Sequence, residues 1–182
     1  MAKEKSKNLV ASFNDIHNIA IQKTEHLSDV VTNLRYEGKF SLGKNLKEIQ
    51  KVIDFFSRHM KKHIQLEEEI IFPFLETHIP KLDSLTRLLC SEHKDFEKNF
   101  ETLQFQLQTF SKVRTEPERG KAIEKLRDVG VYLAYLLRNH MQQENESVYK
   151  AIEKELRRNE RKELEHQVAE FIASDELLVN RK

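Results

Sequence analysis

The 182-residue sequence predicts an all-α fold: an antiparallel, up-down-up-down four-helix bundle with an additional short C-terminal helix. Three observations lead there. Only 4 Gly and 3 Pro occur in the chain, which favours long helices over sheet and turn. Apolar residues recur at three- and four-residue steps over long stretches. Short polar, Gly- or Pro-containing breaks separate those stretches. The length suits one domain of ordinary size. The expected division is a flexible tail over 1–8, the bundle over 9–156, and a C-terminal helix and tail over 157–182.

The first helix is expected from about Leu9 to Tyr36, on a stripe of Leu9, Phe13, Ile16, Ala20, Leu27, Val31 and Leu34. Glu37 to Gly43 reads as a loop, with Gly38 and Gly43 inside it. Asn45 with Glu48 three residues on has the form of a capping box, opening a second helix that runs to about Thr77. Pro73 near its end is expected to kink or tighten the last turns, and Pro80 marks the next turn. The third helix spans about Leu82 to Val113, with Leu85, Leu88, Leu89, Phe96, Phe100, Leu103, Leu107 and Phe110 on one side. Arg114 to Gly120 reads as a second polar break, with Pro117 suited to a first helical turn, and the fourth helix is expected from about Arg119 to Leu156. A fifth, more charged helix covers about Arg158 to Ala173.

Composition excludes several function classes. Charged residues are 34% of the chain, mixed in sign, with a net charge of +1, which argues against the basic face of a nucleic-acid binder. No apolar run approaches the roughly 18–20 residues of a membrane span. The start, MAKEKSKNLV, has no apolar segment of the secretory kind. One cysteine, Cys90, precludes an internal disulfide framework, and a cytoplasmic location is expected. Cys90 falls off the core stripe and reads as an exposed thiol.

The informative residues are polar ones on core faces. His63 and Glu67 fall within roughly 30° of the middle of the second helix's apolar stripe on a helical wheel. His140 and Glu144 do the same in the fourth helix, among Leu126, Leu133, Leu137 and Met141. Buried carboxylates without partners are costly. Two HxxxE pairs on two core faces of one bundle call for one explanation, and a metal satisfies imidazole and carboxylate together. The i, i+4 spacing puts both side chains of a pair on one side of the helix, within reach of one metal or of adjacent metals.

The antiparallel arrangement tests this. Residues at one level are equidistant from the turn between their helices. His17 and His63 have their midpoint at Phe40, Glu67 and His93 at Pro80, and His93 and His140 straddle Glu116 and Pro117. Each midpoint falls in a break, so His17, His63, Glu67, His93, His140 and Glu144 share one layer. His26 lies nine residues from His17, about 13 Å along the axis, and the layer argument favours His17. His59, one turn above His63, is expected to face inward as a supporting donor or a channel-lining residue; Glu92 is a candidate support for a ligand. His166 and Glu170 also make an HxxxE, but they point away from Leu164, Val168, Phe171 and Ile172 and read as a solvated pair. His78 stands at a helix end, where the dipole favours a cation.

The order H…HxxxE…H…HxxxE on four helices resembles the hemerythrin-like, or HHE cation-binding, proteins over about residues 9–156. The stretch His63-Ile-Gln-Leu-Glu67-Glu-Glu-Ile-Ile-Phe-Pro is similar to that family's signature, and Glu92-His93 and His140-Met-Gln-Gln-Glu144 to its later motifs. The resemblance implies two iron ions in an oxo- or hydroxo-bridged di-iron centre, with Glu67 and Glu144 bridging and His17, His63, His93 and His140 as terminal ligands. The imidazole–carboxylate mixture favours iron, although the same donors could hold zinc or manganese. Oxygen-carrying relatives have an HxxxH on the third helix; here the place reads His93-Lys-Asp-Phe-Glu97, so a fifth histidine is missing. The four-His, two-Glu set resembles the branch associated with nitric oxide stress and iron-centre repair. The implied partners are O2, nitric oxide or peroxide. The alternative is an iron-binding, storage or metal-donating module without catalysis.

Overall fold

In the computed structural model, which describes residues 9–34, 36 and 39–179, every regular element is helical. Helix α1 is Leu9–Asn33. Helix α2 covers 39–78: Lys39–Leu66 continues through a π-helical turn, Glu67–Ile71, into Phe72–His78. A 3-10 turn, Pro80–Leu82, leads into α3, Asp83–Phe110. Helix α4 covers 116–155: Glu116–Gln143, a second π turn Glu144–Tyr149, and Lys150–Glu155. Helix α5, Arg158–Val179, completes the expected architecture. The tail expected over 1–8 lies outside the described residues.

Local chemistry explains the breaks. Thr115 caps α4 in a full capping box with Glu118, and Pro117 occupies its first turn. Pro73 has no N–H to offer the Glu69 carbonyl, and just before it Phe72 N–H bonds back to the Glu67 carbonyl, five residues away. The expected kink is therefore a π turn. Glu160 accepts from the backbone N–H of Arg157 at 2.7 Å and so caps the start of α5.

Three expectations about the elements need correction. The loop ends by residue 39 rather than at Gly43, and Asn45 lies inside α2 rather than at its cap. Leu42 and Leu46 pack against the core, and that burial outweighs the roughly 1 kcal/mol that a helical glycine costs. Ile16 and Leu88 are 38% and 49% exposed, because the buried lines run instead through Phe13, His17 and Ala20 in α1 and through Thr86, Leu89 and His93 in α3. Cys90 is half-buried against Leu89 and its neighbours, and burial pushes its thiol up to about 11.

Among the described residues the interior has two apolar clusters. One joins Leu27, Val31, Ile53, Phe56, Met60, Phe96, Leu126 and Leu133. The other joins Phe13, Leu66, Ile71, Phe72, Leu89, Tyr149 and, from α5, Leu164 and Val168. The polar layer lies between them: His17 separates Phe13 from Ala20, and His63 separates Met60 from Leu66.

Candidate metal centre

The six residues expected in one layer, His17, His63, Glu67, His93, His140 and Glu144, are all buried, the two glutamates and His17 at 0% exposure. They form two groups, His17, His63, Glu67 and Glu144, and Glu67, His93, His140 and Glu144; in each, one ligand atom per residue lies within 4.8 Å of all the others. Both groups contain Glu67 and Glu144. His63 Nε2 is 3.2 Å from Glu67 Oε1, and His140 Nε2 is 3.1 Å from Glu144 Oε1. Across helices, His17 Nε2 is 3.4 Å from Glu144 Oε2, and His93 Nε2 is 3.5 Å from Glu67 Oε2. The Nε2 atoms of His17 and His63 approach to 2.7 Å.

The outer ring edges are tied down. His17 Nδ1 donates to Asn145 Oδ1 at 2.8 Å, His93 Nδ1 to Glu68 Oε1 at 2.9 Å, and His140 Nδ1 to Glu92 Oε2 at 2.8 Å. A proton held on Nδ1 leaves the neutral ring's lone pair on Nε2, aimed inward. The Tyr149 hydroxyl donates to Glu67 Oε1 at 2.6 Å. Burial keeps this phenol protonated, its titration moved well above the ordinary range by burial and then by Glu67 and Glu144.

The set is badly satisfied without a cation. Glu67 Oε2, both carboxylate oxygens of Glu144, and Nε2 of His93 and His140 are buried with no hydrogen-bond partner. Such groups carry the full cost of lost hydration. A cation between donors no farther apart than 4.8 Å can sit at coordination distance from each, about 2.0–2.6 Å, so the residues fit a metal. Electrostatics among the six residues are divided. Burial, with His17, His93 and His140 around it, drives His63 down to about 4 against the pull of Glu67. Burial likewise lowers His17. Burial opposes charge on His140 too, but Glu144, Glu92 and Glu67 outweigh it and lift His140 to about 10. Glu67 also raises His93 against burial.

The other histidines stand apart. His26 is exposed and 3.4 Å from Glu48, far from the layer. His59 is exposed rather than turned inward; its ring lies 4.8 Å from that of Phe55 and lines a cavity of about 270 Å³ that also borders His63. The expected inward orientation is therefore corrected, because the ring packs on Phe55 at the surface. Glu92 does support a histidine. His166 and Glu170 face solvent, their side chains 71% and 68% exposed. His78 stacks on Phe74 at 4.0 Å at the end of α2. Sequence reasoning missed Glu68, Asn145 and Tyr149. The first two follow a core glutamate directly, which was the available signal; Tyr149 becomes a neighbour of Glu67 through the fold.

No helix among the described residues is long and apolar enough to cross a membrane. No curated protein matches the chain. The family model described as the hemerythrin HHE cation binding domain matches residues 8–149, which includes all six residues of the layer. The chain belongs to the hemerythrin HHE cation-binding family.

Proposed function

We propose that the protein holds two iron ions, one in each four-residue group, with Glu67 and Glu144 shared between them and His17, His63, His93 and His140 as the remaining ligands. The carrying observation is the set of converging, buried, unpartnered atoms in two groups that share two carboxylates. The imidazole–carboxylate mixture suits iron. Bound iron supplies redox chemistry and open coordination positions for a small ligand. The residues of the chain do the rest. Asn145, Glu68 and Glu92 fix three imidazoles in the inward-facing tautomer. Tyr149 holds one oxygen of Glu67 in place. Phe13, Tyr149, Phe72, Met60 and Leu137 exclude water from the layer.

The ligand we assign is a small oxygen- or nitrogen-containing molecule, O2, nitric oxide or peroxide, handled in a stress response or in iron-centre repair. The cavity beside His63, walled by Phe13, Ile16, Phe55 and Leu66 together with Arg58 and Lys62, offers such a species an approach. The test is metal analysis of protein produced with ample iron, together with Glu67→Ala and Glu144→Ala. About two irons per chain, large losses in both variants, and an optical change when nitric oxide meets the reduced protein support the reading. Iron retained in full by either variant refutes the ligand set. Two irons with no response to any of the three ligands leaves a storage or donor module instead.

A further inference from the structure

The centre repeats itself. Exchanging α1 and α2 for α3 and α4 maps His17 onto His93, His63 onto His140, and Glu67 onto Glu144. The contacts follow: 3.2 and 3.1 Å within helices, 3.4 and 3.5 Å between them, and ring centroids 4.8 and 4.6 Å apart for His17–His63 and His93–His140.

Outside the ligands the repeat breaks in three places. The residue after each shared glutamate supports a histidine, but Glu68 offers His93 a carboxylate where Asn145 offers His17 a neutral amide. The residue before the α3 histidine, Glu92, supports His140; its counterpart before His17 is Ile16, and His63 Nδ1 is buried with no hydrogen-bond partner. Five residues after each glutamate stand Phe72 and Tyr149. Phe72 stacks on His93, whereas Tyr149 donates to Glu67 Oε1, the oxygen nearest His63. All three differences act in one direction. A carboxylate behind an imidazole makes Nε2 a stronger donor and adds negative charge near the cation. A phenol on Glu67 Oε1 draws electron density from the oxygen that faces the His17–His63 side.

Resting on the two-metal reading, we propose that the two positions are unequal. The one made by His93 and His140 with Glu67 and Glu144, backed by Glu68 and Glu92, fills first and holds its ion more tightly. The one made by His17 and His63, backed by a single amide, fills second and releases first. Losing one such supporting partner typically changes metal affinity by about 10–100-fold, so the two positions should differ by at least about tenfold.

The experiment follows release of ferrous iron from fully loaded protein to a coloured chelator, without oxygen. Two phases of equal amplitude are expected, with rates at least about tenfold apart. Glu92→Gln and Glu68→Gln should speed the slow phase and leave the fast one unchanged. Asn145→Asp should slow the fast phase and narrow the gap, which keeps the test open should either glutamine variant fold poorly. Two ions leaving in a single phase, or the glutamine variants acting on the fast phase alone, would overturn the inequality while the two-metal reading stands. Loading well short of two ions per chain would overturn that reading and the inequality with it.

Discussion

Tyr149→Phe isolates one hydrogen bond at the heart of the layer. The hydroxyl donates to Glu67 Oε1 at 2.6 Å, and tyrosine and glutamate are 1% and 0% exposed. Phenylalanine keeps the ring, so its stack on Phe13 at 5.2 Å survives and no cavity forms. A hydrogen bond to a charged group contributes about 1.5–3 kcal/mol, and removing the hydroxyl's own desolvation offsets part of it, leaving a net loss of about 1–2 kcal/mol. In the metal-free chain Glu67 Oε1 then keeps only His63 Nε2 at 3.2 Å, and Glu67 Oε2 already has no hydrogen-bond partner. At about 2–4 °C per kcal/mol for a chain of this size, Tm should fall by about 2–8 °C. With the centre loaded, cations hold Glu67 and the fall should be at most half as large. Thermal melts of parent and variant, each chelator-treated and metal-loaded, supply the comparison. Equal losses in both forms, or coincident melts in the metal-free form, would refute the reasoning.

Three further outcomes are expected. His17→Ala should lower the metal content, by up to one ion per chain, while His26→Ala leaves it unchanged, because His17 lies in one of the two groups and His26 pairs with Glu48 at the surface; elemental analysis of both variants decides it. Gly130→Ala should destabilise: its Cβ would stand 2.9 and 3.1 Å from the two Cγ atoms of Val31, a fully buried and rigid side chain, so overpacking of about 1–3 kcal/mol exceeds the roughly 1 kcal/mol gained in helix propensity. In a Val31→Ala background the same change should cost less, a non-additivity that denaturant melts of the four proteins would expose. The chelator-treated chain should be most stable near pH 6.5. His140, raised from 6.5 to about 10, contributes stability that is complete below 6.5 and is lost as pH climbs toward 10; His63, lowered to about 4, contributes stability present above 6.5 and lost as pH falls toward 4. Melts across that range would contradict this if stability rose steadily in either direction.

The sequence by itself determined the helical class, the order of the helices and the layer of four histidines and two glutamates. Apolar spacing depends only on the 3.6-residue period, and level in an antiparallel bundle depends only on distance from a turn. What it could not settle were flanks and loop ends. Ile16 and Leu88 lie at the edges of their stripes, where packing of neighbouring helices decides between core and surface, and Leu42 and Leu46 draw Gly43 into a helix against its propensity. Which residues stand behind the histidines of the layer came only from the docked helices. Both shared glutamates open a π turn. One extra residue in a turn rotates everything beyond it by about 100°, so a wheel drawn on the regular period misplaces Tyr149. Glu68, Glu92 and Asn145 act on histidines of other helices, 25, 48 and 128 residues away in the chain, and such contacts exist only once the helices have docked.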